Sequence, residues 1–101
     1  MVTMIRTVRL TVKAKVLKKL PQHVVAKLHL WVDAVENDGL EETRKVPSYH
    51  DEPLGGDRKG QRSIRLSRAY RAIYVIGKDE ATAEVAEIEY AEVIEAHKHK
   101  Y

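Results

Sequence analysis

Gln61-Arg62-Ser63-Ile64-Arg65-Leu66, followed after Ser67-Arg68-Ala69 by Tyr70-Arg71-Ala72-Ile73-Tyr74-Val75-Ile76, is the stretch that decides the fold. Both runs alternate in polarity and are rich in β-branched and aromatic residues, so each reads as a strand, and the short break between them reads as a hairpin. Upstream, Ser48 to Gly60 holds Pro53, Gly55, Gly56 and Gly60 and reads as a turn-rich segment. Downstream, Gly77 to Thr82 makes a second turn. Ala83 to Glu95 then brings Val85, Glu87, Ile88, Tyr90, Val93 and Ile94 as a long final strand with room for a bulge.

The N-terminal half changes period. Ile5 to Val12 places Val8, Leu10 and Val12 on one side and reads as an opening strand. Val16, Leu17 and Leu20 fall at helical spacing, and Pro21 either ends that turn or opens the next helix. Val24, Val25, Leu28, Trp31, Val32 and Val35 form an apolar helical stripe, with Trp31 in the core, that Asn37-Asp38-Gly39 stops. Leu40 to Lys45 adds a short helical turn. The order predicts an α+β fold in one domain over residues 1–101. It consists of an N-terminal strand, two or three helices and an antiparallel three-stranded meander, with the helices on one face of an antiparallel sheet.

Composition narrows the function classes. Hydrophobic residues are 44% and charged residues 33% of the chain, too apolar for a disordered segment. There are no cysteines, which removes disulfides and thiolate metal sites, and the five histidines show no paired ligand spacing. No apolar run approaches a membrane span, and the first twenty residues lack the hydrophobic core and cleavage site of a signal peptide. A cytoplasmic protein is expected.

The net charge is only +3, but it is segregated. Arg58 to Arg71 carries Arg58, Lys59, Arg62, Arg65, Arg68 and Arg71 with no acid, whereas Asp79 to Glu95 carries seven acids and no lysine or arginine. This predicts a cationic face suited to a polyanion and an acidic face elsewhere; the competing reading is charge pairing across neighbouring strands. Alternation puts Ser63 and Arg65 on one side of their strand, and Arg62 either on the other, with Ile64 and Leu66, or at a twisted strand start. Arg71 shares a side with Ile73 and Val75. Several arginines on adjacent strands beside a glycine-rich loop favour phosphate recognition, because the guanidinium fork matches phosphate oxygens. Ser63 lacks the glycine-flanked elbow of a serine nucleophile. His23 and His29 read as helix-surface residues, and Tyr70, Tyr74 and Tyr90 as strand packing, the alternative being that one of them stacks a base.

The segments His50-Asp51-Glu52-Pro53-Leu54, Gly56-Asp57-Arg58-Lys59-Gly60-Gln61-Arg62-Ser63-Ile64-Arg65-Leu66 and Tyr70-Arg71-Ala72-Ile73-Tyr74 together resemble the signature region of the RelE/ParE toxin superfamily, most closely its HigB-like members. The ending His97-Lys98-His99-Lys100-Tyr101 is similar to the Lys-His-x-Tyr terminus of the same group. The motif-bearing part covers about half the chain. The resemblance implies the RelE-like microbial RNase fold and the toxin of a type II toxin–antitoxin system: a metal-independent, cofactor-free endoribonuclease that cuts messenger RNA on the ribosome and is neutralised by a cognate antitoxin. It further implies 2′-hydroxyl attack on the adjacent phosphate, with Glu52 as base, Arg71 on the scissile phosphate, Arg65 holding RNA or stabilising charge, and His99 as acid. His97 is an alternative acid. Arg58, Lys59, Arg62, Arg68, Lys98, Lys100 and Tyr101 would hold RNA or ribosome.

Gly55 departs from the pattern, since similar chains often carry lysine there. Two other functions fit parts of the sequence. A ParE-like gyrase inhibitor would lack the clustered RNA-cutting residues, and a non-catalytic RNA-binding module would need only the arginines.

Overall fold

Pro21 both ends one helix and opens the next. The computed structural model describes residues 4–90. In it, β1 (Thr7–Leu10) leads into α1 (Ala14–Lys19), α2 (Gln22–Asp38) and α3 (Leu40–Arg44). Pro21 occupies the N-cap of α2, where its missing amide costs nothing. Gly39 closes α2 at φ 88°, its N–H on the Val35 carbonyl at 2.9 Å. A side chain there would be strained, and its Cβ would come within 3.1 Å of Met4 Cγ.

Two short 3₁₀ turns, Pro47–Tyr49 and Gly56–Arg58, flank β2 (Glu52–Pro53). The meander follows as β3 (Gln61–Arg65), β4 (Tyr70–Ile76) and β5 (Thr82–Tyr90). The Ser67 hydroxyl shapes the β3–β4 turn by accepting the amides of Ala69 and Tyr70, each at 3.2 Å.

The sheet has five strands in the order β1-β5-β4-β3-β2, and two features differ from the sequence reading. β1 pairs with β5 in parallel, Thr7 with Thr82 through Leu10 with Val85, so the sheet is mixed rather than antiparallel throughout. Parallel neighbours need a long connection, and every other element lies between these two along the chain. The segment read as turns also contributes β2, which pairs Glu52 with Ser63 and Pro53 with Arg62. Proline is tolerated in β2 because this strand is an edge.

The bulge falls at Ala86. Ile73 pairs with Glu87 and Tyr74 with Val85, which leaves Ala86 without a partner on β4. The extra residue reverses the alternation, so Val85 and Ile88 both face the helices while Glu87 and Glu89 face away.

On the helix side Val24, Leu28, Trp31 and Val35 of α2 are fully buried against Ile64, Leu66, Ala72, Tyr74, Ala83 and Val85. Each such side chain contributes roughly 1.5–3 kcal/mol by leaving water. The Trp31 and Tyr74 rings meet at 5.1 Å between centroids. Among the described residues α2 packs on one face only, and the other face of β3, β4 and β5 carries Ser63, Arg65, Arg71, Glu87 and Glu89 around Ile73 and Val75. No helix among the described residues is long and apolar enough to cross a membrane.

Candidate active site

Two rows of side chains cross the open face. In one, Glu52 of β2 stands beside Ser63, Ser63 beside Ile73, and Ile73 beside Glu87. In the next, Arg65 lies directly opposite Arg71, and Arg71 opposite Glu89. The turn after Leu66 sets this register, and it brings together Glu52, Arg65 and Arg71, three of the four residues expected to do chemistry. The fourth, His99, lies outside the described residues with His97, Lys98, Lys100 and Tyr101.

Glu52 Oε1 accepts from Arg71 Nη1 at 3.2 Å, with the Glu52 side chain 57% exposed and that of Arg71 25% exposed. The pair sits at the mouth of the face rather than under it, so an incoming anion can compete for Arg71. Arg65 and Arg71 stand at directly opposed positions of the hairpin, so two guanidinium groups share one stretch of the face, a pairing that suits the oxygens of a phosphate. Ser63 and Ile73 form the floor and are almost fully buried. The Ser63 hydroxyl is closed off from solvent, which removes it as a nucleophile.

The acids of β5 are not on a separate face. Arg58 Nη1 donates to Glu89 Oε2 at 2.7 Å and Nη2 to Glu87 Oε2 at 3.1 Å, while Nε reaches Gln61 Oε1 at 3.0 Å. The expected segregation into cationic and acidic faces is therefore corrected, because the Ala86 bulge turns Glu87 and Glu89 toward the arginines. Lys59 and Arg68 are exposed at opposite ends of β3.

Arg62 does not join the group. It stands across from Tyr74 on the helix side, where Nε donates to Asp51 Oδ1 at 2.6 Å. Tyr74 Oη donates to the other oxygen, Oδ2, at 2.5 Å, and the Asp51 side chain is fully enclosed. Burial works against the Arg62 charge, but the hydrogen bond and charge of Asp51 outweigh it and hold the guanidinium above its usual pKa. Burial and then Asp51 push the Tyr74 phenol far above its ordinary value.

Asp51 and Glu52 are neighbours in extended chain, so their carboxylates leave on opposite sides, one to Arg62 and one to Arg71. His50, exposed and in the left-handed region at φ 45°, makes the turn that starts this divergence. Sequence reasoning passed over Asp51. The signal available was an Asp-Glu pair before proline, with Arg62 and Arg71 of opposite parity on the two strands that follow.

Tyr74 carries a pH prediction. An unfolded tyrosine loses its proton near pH 10, whereas the folded Tyr74 keeps it, so stability is full below that pH and falls as pH rises above it. The slope per proton is roughly 1.4 kcal/mol per pH unit. Burial raises Tyr49 as well, so the wild type should lose stability on both accounts. In chemical denaturation between pH 9 and 11, Tyr74→Phe should show a shallower decline than wild type; parallel curves would contradict the assignment.

Among the described residues no group of three His, Asp or Glu side chains is placed to hold a metal ion. No protein-family profile matches the sequence, and no curated protein matches it significantly. Solved structures do match. A chain of a RelBE toxin–antitoxin complex from Mycobacterium tuberculosis is 23% identical at a TM-score of 0.59, covering 88% of this chain and 99% of that one. YafQ from E. coli strain BL21(DE3) gives 17% identity and a TM-score of 0.64 over 88% and 97%. An archaeal RelE–RelB complex from Pyrococcus horikoshii gives 21% and 0.63 over 86% and 96%. At these identities the likeness is one of fold.

Proposed function

We propose that this chain, whose fold is that of the RelE-type toxins, is the toxin of a toxin–antitoxin pair and cuts messenger RNA on the ribosome. The observation that carries the reading is the convergence of Glu52, Arg65 and Arg71 on one open face, with Glu52 and Arg71 in contact at 3.2 Å. The fold alone does not supply it, since fold does not fix function. The signature running from Asp51 to Arg71 favours the HigB-like branch.

The reaction needs no more than these groups and an acid. A phosphate of the message takes Arg71 from Glu52 and lies between Arg71 and Arg65. The released Glu52 carboxylate takes the proton of the ribose 2′-hydroxyl, whose oxygen attacks the adjacent phosphorus. The guanidinium groups stabilise the charge that grows on the phosphorane oxygens. The bond from phosphorus to the 5′-oxygen then breaks, and that oxygen takes a proton from His99 or His97, leaving a cyclic phosphate. Lys59 and Arg68, with Lys98, Lys100 and Tyr101, would steer the flanking backbone and rRNA. Arg58 joins them once its two carboxylates give way. An antitoxin protein would block the same face or its approach.

The test is expression with translation running and with translation arrested, reading transcripts for cut ends. Cuts in phase with codons, on translated messages only, are the expected result. DNA damage with intact messages would replace this reading with gyrase poisoning, and neither effect would leave a non-catalytic RNA-binding module.

Gly55 gives a separate prediction. Its φ of −111° suits any residue and its Cβ would meet nothing within 4 Å, so Gly55→Lys should fold normally. One more phosphate contact should tighten binding to single-stranded RNA and steepen the log–log salt dependence by about 0.7. An unchanged slope would mean that this position does not face the RNA.

A further inference from the structure

The Asp51–Arg62–Tyr74 cluster takes no part in the chemistry above, yet it encloses a carboxylate completely. We propose that Asp51, gripped by Arg62 and Tyr74 on the helix side of the sheet, is a positioning residue that fixes Glu52 opposite Arg71 on the other side. This inference rests on the reading of Glu52 as the base.

β2 has only two residues and one neighbouring strand, too little ladder to hold its own register. Its chain enters through His50, whose left-handed backbone is unfavourable for a residue with a side chain. What fixes the segment is the Asp51 side chain. Tyr74 holds it at 2.5 Å and is itself clamped by Trp31, while Arg62 holds the other oxygen at 2.6 Å. Because successive side chains of an extended chain point to opposite faces, fixing Asp51 inward dictates that Glu52 faces outward.

Stability is a poor explanation for such a cluster, since well-packed apolar residues often replace a buried ion pair without loss. Placement is a better one. It couples the base to the fully buried Tyr74 and Trp31 by a single peptide unit.

The test uses Tyr74→Phe, which removes one hydroxyl and keeps the ring against Trp31, and Asp51→Asn, which keeps the volume. Single-turnover cleavage is measured on ribosomes programmed with a short synthetic message. Each variant should cut roughly 10- to 100-fold more slowly, with half-saturation little changed. In a Glu52→Gln background the same substitutions should change the rate by less than about twofold, because the group they position is gone. Amide exchange is read in parallel. The Leu54 N–H, bonded to the Gln61 carbonyl at 2.9 Å, should exchange faster in both variants, while Ile64 and Ala72 keep their protection.

Unchanged Leu54 exchange, or equal rate losses in both backgrounds, would overturn the positioning role and leave Glu52 as base. A silent Glu52→Gln would strike the base assignment itself. The exchange measurement needs no cleavage, so it decides the positioning of β2 even for a chain that cuts nothing.

Discussion

Arg71→Ala is expected to slow cleavage by roughly 10²- to 10³-fold, about 2.7–4 kcal/mol of lost transition-state stabilisation, while leaving the fold nearly as stable as before. The two halves of that expectation have separate causes. In the free protein Arg71 meets Glu52 near the surface, with the carboxylate more than half exposed, and ion pairs in that setting contribute at most about 1 kcal/mol. In the transition state of the proposed reaction the same guanidinium would meet a dianionic phosphorane held in place, an interaction worth several times more. Arg71→Lys keeps the charge and loses the fork, so it should fall between wild type and alanine. Single-turnover rates on programmed ribosomes, alongside urea midpoints, check both halves. A fully active Arg71→Ala would end the phosphate role, and a large stability loss would mean that Arg71 is chiefly a structural tie.

The hairpin and α2 were legible because each carries its own period over many residues. Val24, Leu28, Trp31 and Val35 announce one helical face, and the three residues after Leu66 leave room only for a turn. The pairing of β1 with β5 was not legible, since nothing within four residues names a partner that lies some seventy positions away. β2 was missed because two residues have no period at all, and its place depends on an aspartate anchored in the core.

At the candidate site, residue types were easier to read than faces. Alternation put Arg65 on the side of Ser63 but left Arg62 between the side of Ile64 and a twisted strand start; pairing with Tyr74 places it on the side of Ile64. The register that sets Arg65 against Arg71 follows from the turn's geometry, which sequence states only loosely. Charge segregation misled for a physical reason. A single unpaired residue, Ala86, rotates the acids of β5 onto the arginine face, so runs of like charge in sequence became opposite charges in contact.

Trp31→Ala should cost roughly 3–5 kcal/mol, the range for truncating a fully buried large aromatic side chain. A domain of this size holds only about 5–15 kcal/mol in all, so the loss takes a substantial share of its stability. Trp31→Phe is the informative partner. The indole Nε1 has no hydrogen-bond partner among the described residues, so phenylalanine breaks no polar contact; it gives up some volume and keeps a ring against Tyr74. Its cost should stay below about 2 kcal/mol, well under that of alanine. Unfolding has to be followed by far-UV circular dichroism, because Trp31 is the chain's one tryptophan and both variants lose the fluorescence signal. Equal losses for phenylalanine and alanine would mean that the indole nitrogen is bonded after all. A loss under about 1 kcal/mol for alanine would mean that α2 is not seated on the sheet through this residue. The consequence reaches the open face. Tyr74 stands between Trp31 and Asp51, so a cavity at Trp31 loosens the grip that sends Glu52 to Arg71. The alanine variant should therefore lose cleavage even at temperatures where it remains folded, whereas the phenylalanine variant should keep it.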